Sequence, residues 1–364
     1  MKQKIKPKNK KQTKALLNPL KSKMNLLKIG KKSLLNRFII PIASIVLFLG
    51  IWYLGAEYLR NREIDFRVEK VMNDQGIAEA KALKACFETN DSECQTNTLP
   101  SPIQVWTSVK SLINDYYLIR KDKEDFLAKT QVINQQREAA GESPIIYTGR
   151  PSFVDIVFTS LKTVFAGFLL AFIIAVPIGI FIGLSNTLRS TFNWFIQVFK
   201  PVSPVVWYLL VFMVVKTLLI ETSSDNSFVI SFISVGLCSM WATLVNTTMG
   251  VSSVDKDYIN VSKVLKLKPL QKVFKIVLPS SLPLIFTGLR ITLSVAWMVL
   301  IAIELLAQSP GLGLFVWEEF QNGANDSNSK IIVAMFVIGI IGFLLDRMML
   351  FVQNMISYNK NSIA

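Results

Sequence analysis

Histidine is missing from this chain altogether, and cysteine occurs only three times. Without an imidazole there can be no Ser-His-Asp or Cys-His nucleophile. Three cysteines, no histidine and no Cys-x-x-Cys pair also argue against a structural zinc site, so no metal is expected. The phosphate-cradling pattern Gly-x-x-x-x-Gly-Lys-Ser/Thr is absent too, which excludes ATP binding through such a loop; no cofactor is expected. Any work drawn from ATP must come from a partner. Acidic residues are lacking over residues 1–37, which hold 13 Lys and Arg.

What is present is apolar. Of 364 residues, 51% are hydrophobic and 18% charged, and the mean hydropathy is +0.41. That is the composition of a membrane protein. The net charge of +15 sits mostly in the first 37 residues and leaves a nearly neutral remainder. A basic tail beside an apolar run faces anionic lipid and fixes topology, so the bilayer, not nucleic acid, is the expected partner.

Residues 1–35 read as a basic cytoplasmic tail. The apolar run Phe38 to Leu54 is long for the core of a secretory signal, lacks an Ala-x-Ala site and ends in Trp52 and Tyr53. It reads as an uncleaved first span, residues 36–58. The next segment, 59–151, has a soluble composition, with 13 basic and 14 acidic residues over 60–151. Helices are expected at Ile64–Phe87 and Ile103–Leu127, broken by Leu99-Pro100-Ser101-Pro102. Cys86 and Cys94 lie in this insert; a disulfide and two free thiols both fit their spacing. Residues 152–357 hold five further runs: Val164–Leu184, Val202–Ile220, Phe228–Val245, Ser281–Ala307 and Ile331–Leu345. Each is near the roughly 20 residues that cross a hydrocarbon core of about 30 Å. Six spans are expected in all.

Loop charge orients them. With the N-terminus inside, the short inner segments 185–200, 251–278 and 346–364 carry +2, +4 and +1. The outer loops 217–227 and 308–330 carry −2 each. This follows the excess of Lys and Arg on cytoplasmic loops. Both termini then lie in the cytoplasm and the insert lies outside.

The stretch 254–290 is organised differently. Its first half is lysine-rich yet places Ile259, Val261, Val264, Leu265 and Leu267 at helical spacing. A surface helix in a loop fits this pattern, and so does an amphipathic helix mechanically joined to a span. Ionisable residues within spans are functional candidates: Arg290, Glu304 and Lys216, with Trp297 beside them, are candidates for a translocation path. Each has a plainer role open to it. Arg290 can pair with Asp346, Lys216 can snorkel, Trp297 can pack, and Glu304 can face a docked protein, a vestibule or the headgroups.

The same stretch resembles the "EAA" loop of binding-protein-dependent ABC transporter permeases, E-A-A-x-x-x-G followed after nine residues by I-x-L-P. Asn260-Val261-Ser262 falls on E-A-A, Lys266 on the glycine, and Ile276, Leu278 and Pro279 on the ending. The Glu, both alanines and the Gly are replaced. Phe286 to Gln321 is similar to the branch serving nitrate, bicarbonate, cyanate, taurine and alkanesulfonates, through Gly288-Leu289-Arg290, Trp297, Glu304 and Gly311-Leu312-Gly313. Val316-Trp317-Glu318-Glu319-Phe320 and Leu344-Leu345-Asp346-Arg347 follow the nitrate and bicarbonate members, nitrate first. The resemblance covers about residues 99 to 355.

It implies an all-α membrane protein: six transmembrane helices in a type I ABC permease (MetI-like) bundle, with an extracytoplasmic helical insert between helices 1 and 2. It implies a bacterial inner-membrane permease, not itself an enzyme, importing a small anion with separate ATPase subunits, a second permease copy and an extracytoplasmic binding protein. The cytoplasmic coupling loop would be 251–279, with Asn260, Val261, Ser262, Val264, Leu265, Lys266, Leu267, Ile276, Leu278 and Pro279 as coupling residues. Val261, Val264, Leu265 and Leu267 would supply the buried face, Lys263, Lys266 and Lys268 its rim, and Leu278-Pro279 would end the helix and redirect the chain. Taurine or alkanesulfonate import is the alternative cargo. An ATP-independent secondary carrier predicts inverted repeats or paired broken helices, and none is seen in the sequence.

Overall fold

The computed structural model describes residues 39–88, 98–218, 226–324 and 326–356. The expected basic tail 1–35, Cys94, and Glu221 and Asp225 of an expected outer loop lie outside the described residues. Every regular element among the described residues is helical. In hydrocarbon each backbone N–H and C=O needs an internal partner, and a helix supplies one within a single segment. The chain divides into two compact units, up to Ile103 and from Gln104 onward.

In the first unit, α1 (Ile40–Asp74) is one rod of 35 residues, roughly 52 Å at 1.5 Å per residue. It outruns a hydrocarbon core, so the apolar span and the polar stretch after it form one helix, unbroken through residue 58. It stops at Gly76, whose φ of +105° favours a residue without Cβ. There the N–H groups of Gln75 and Gly76 both reach the Val71 carbonyl, at 2.8 and 3.2 Å. The chain turns into α2 (Ile77–Glu88), which packs back on α1. Ala56, Ala80 and Phe87 are buried here, and the Trp52 indole N–H donates to the Pro100 carbonyl at 3.1 Å. Cys86 is disulfide-bonded.

The second unit opens with most of α3 (Pro102–Ala139). Residues 140–150 return along it. The Asn134 side chain exchanges two hydrogen bonds with Ile145, 3.0 and 2.7 Å, and Phe126 meets Tyr147 edge-on at 5.4 Å. A capping box between Ser152 and Asp155 starts α4 (Phe153–Gly183). After it, α5 (Asn186–Phe199) and α6 (Pro204–Leu218) are bent by 98°. Pro201 and Pro204 withhold N–H groups from any continuous helix, and Phe199, Trp207 and Trp241 pack around the corner at 6.1–6.3 Å between rings. On the expected run Val202–Ile220 the described residues form a 15-residue helix, Pro204–Leu218, roughly 22 Å long. Among the described residues, five helices are long and apolar enough to cross a membrane, or six if this bent pair counts as one.

The remainder is α7 (Ser227–Ser252), α8 (Lys256–Val264), the short α9 (Pro269–Lys272), a π-helical turn Val273–Val277, α10 (Leu278–Ala307), α11 (Leu312–Asn322) and α12 (Ser327–Ile356). α7 packs against both α4 and α10. Small residues four apart, Gly167, Ala171, Ala175, Gly179 and Gly183, line the α4 face that meets α7. A Cβ at Gly167 or Gly179 would stand 2.8 Å from Val235 Cγ1 or 2.7 Å from Thr247 Cβ. Lipid provides no hydrophobic force between helices, so association rests on such close backbone approach and on polar pairs. Thr243 and Thr292 supply one between α7 and α10, with hydroxyls 2.7 Å apart.

Candidate functional site

One end of the bundle gathers α8, α9 and the π turn with the C-terminal ends of α4, α7 and α12. Gly183 meets Val251, Gly250 meets Ser281, and the Gln353 amide donates to the Pro283 carbonyl at 3.5 Å. Here lie all six lysines of 251–278. Asp255 caps α8 by accepting from the Asp257 N–H at 3.0 Å. The helix closes on Lys266, at φ +48°, with the Leu267 N–H on the Ser262 carbonyl at 3.1 Å. Lys266 thus adopts the left-handed backbone of a helix C-cap, the conformation for which glycine is the usual residue.

Of the expected coupling residues, Ser262 is buried, Leu267, Ile276 and Leu278 are half-buried, and Asn260, Lys266 and Pro279 are exposed. Val261 is exposed as well, Val264 is 81% exposed and Leu265 62%. With Tyr258 they make an apolar knob standing in the open, rimmed by lysines. α8 packs on the π turn, so the knob is tied to the start of α10.

One expectation is corrected here. Leu278-Pro279 does not end a helix: residues 269–307 run on as one helical rod. Pro279 has no N–H, and its ring would collide with the carbonyl one turn back. The turn is widened just before it, the Leu278 N–H reaching the Val273 carbonyl, five residues back, and the rod continues.

Half-buried between α10 and α12, Arg290 and Asp346 join the two helices in a two-pronged ion pair, Nη2–Oδ2 2.9 Å. Trp297 is buried and donates its indole N–H to the Ile338 carbonyl at 3.0 Å. Lys216, exposed at the end of α6, holds its ammonium 5.3 Å over the Phe212 ring.

The opposite end is organised by Glu304, which is 1% exposed. α10 stops at Gln308 in a left-handed conformation, and Gly311 starts α11, folding the chain back over the carboxylate. The Ser160 hydroxyl on α4 donates to Glu304 Oε1 at 2.7 Å, and the Gly313 N–H donates to Oε2 at 2.9 Å. Ser160 Oγ in turn accepts from the Leu312 N–H at 2.9 Å. A Cβ at Gly311 would overlap the carboxylate. Glu304 is therefore a buried latch joining α4, α10 and α11. Ser160 was not a candidate from sequence; the close-packed Gly311 and Gly313 were the only hint that a side chain is wrapped here.

The described residues thus form an all-helical, multi-pass bundle that carries an apolar knob on a spanning rod, the frame of a membrane protein. The chain belongs to the family described as the binding-protein-dependent transport system inner membrane component, matched over residues 175–357. Among its relatives is the nitrate import permease protein of Synechococcus elongatus, 34% identical over 201 residues, covering 55% of this chain and 69% of the relative. The bicarbonate transport system permease protein of a Synechocystis species is 37% identical over 199 residues, covering 54% and 67%. Among solved structures, a chain of the inward-facing MetNI methionine ABC transporter is 16% identical, with a TM-score of 0.49 over 56% of this chain and 95% of that one.

Proposed function

We propose that this chain is the permease subunit of an ATP-driven ABC importer for a small inorganic anion, nitrate first. Both termini and the knob face the cytoplasm; two ATPase subunits dock on the knobs of two permease copies, and a binding protein delivers the anion from outside. The observation that carries this is the open apolar knob of Tyr258, Val261, Val264 and Leu265, continuous through the π turn with α10. Four large apolar side chains clustered in the open suit a docking surface, and their lysine rim fits an acidic-edged groove. The motor's closure would tilt α10 and switch access across the bundle. Similarity to a nitrate and a bicarbonate permease supports the cargo class. The higher identity to the bicarbonate relative keeps bicarbonate as the second reading.

The test is ATP hydrolysis by the complex reconstituted with its ATPase and binding protein. The expected result is stimulation by nitrate above bicarbonate and taurine, lost by at least tenfold when Val264 and Leu265 are both changed to Asp, with membrane insertion intact. Undiminished stimulation in that double variant overturns the docking role.

A further inference from the structure

Beside the Glu304 latch lies a cavity of about 70 Å³, lined by Thr159, Thr163, Ser227, Phe228, Ser231, Glu304, Ser309 and Pro310. We propose that this cavity is a binding site for a sodium-sized monovalent cation, a role independent of the cargo. The reasoning starts from where the hydroxyl protons go. Thr159 donates to the Asp155 carbonyl and Thr163 to the Thr159 carbonyl, each at 3.0 Å. Ser231 donates to Ser309 Oγ at 3.3 Å. A hydroxyl has one proton and two lone pairs, so these three oxygens keep only acceptor capacity. The carboxylate of Glu304 accepts two hydrogen bonds of the four or so it can take. These three oxygens and the carboxylate therefore offer lone pairs and not protons, the polarity that suits a hard cation, which takes oxygen ligands.

Charge points the same way. Glu304 is buried, and among the described residues no Lys or Arg nitrogen lies within salt-bridge distance of it. The neighbouring Lys162 is exposed and holds its ammonium 5.0 Å over the Phe228 ring. A buried carboxylate stays ionised only beside a compensating charge, and a single carboxylate matches a single positive charge. A water needs about 10–15 Å³ of such space, so the cavity has room for an ion with a few waters. A bound cation would tie α4, α7 and the 309–310 turn together at this end.

The experiment is thermal unfolding of the full chain purified in detergent, in sodium, potassium or N-methylglucamine chloride at equal ionic strength. A ligand that binds only the folded state raises the melting temperature saturably. The expected result is a sodium-dependent rise of roughly 2–4 °C, smaller in potassium and absent in N-methylglucamine. The paired variant Thr163→Val, Ser231→Ala leaves the Glu304–Ser160–Leu312 bonds in place and should melt as the parent does in N-methylglucamine while losing the sodium response. Equal melting of the unaltered chain in all three salts overturns the proposal without recourse to any variant. So does a full sodium response in the paired variant.

Discussion

Ser160 holds two buried partners with one hydroxyl: it donates to Glu304 and accepts from the Leu312 N–H. Ser160→Ala leaves that N–H without its acceptor and the carboxylate with one donor fewer. Stranding a buried polar group costs about 1–3 kcal/mol, and the expected outcome is a melting temperature several degrees lower in detergent. A conservative change at the exposed Lys162 is expected to leave it unmoved. At this scale the sequence was unevenly legible. The Arg290–Asp346 pair could be anticipated, because the two side chains fall at similar depth on neighbouring spans. Ser160 could not, because it meets Glu304 across 144 residues of chain, and nothing local marks one serine in an apolar run. The exposed knob was legible in its apolar spacing.

Helices were legible where hydropathy is uniform, as in α4, α7 and α12, because lipid-facing and core-facing surfaces are both apolar there. Their joints were not. The proline pair at 201 and 204 marks a break, but a corner of 98° depends on Phe199, Trp207 and Trp241 meeting from three helices. Leu278-Pro279 read as a helix end because a proline usually is one, and the compensating π turn has no signature of its own. The α4 stripe makes an element-scale prediction. Gly179→Leu places a branched side chain where even a Cβ would sit 2.7 Å from Thr247, and should part α4 from α7. Loss of the monodisperse peak on size-exclusion chromatography is expected, whereas Ile178→Val, on the exposed face of α4, should elute unchanged.

For the whole molecule, the orientation proposed from loop charge can be measured directly. In a Cys238→Ser background, Val264→Cys is expected to react with a membrane-impermeant maleimide only after the cytoplasmic side is opened, and Ile145→Cys in intact cells. Labelling of Val264→Cys in intact cells would reverse the topology and remove the knob from any cytosolic motor. The purpose of the insert was not legible, since a balanced soluble composition specifies helices and solvation but no ligand. The α4–α7 seam has a mechanical corollary. The glycine notches of α4 seat the Val235, Thr247 and Val251 side chains of α7, which blocks sliding of one rod past the other, so they swing as a single plate. On the proposed docking role, a stroke arriving at α8 would reach that plate as leverage, and the shaft would give at the widened coil of residues 273–277.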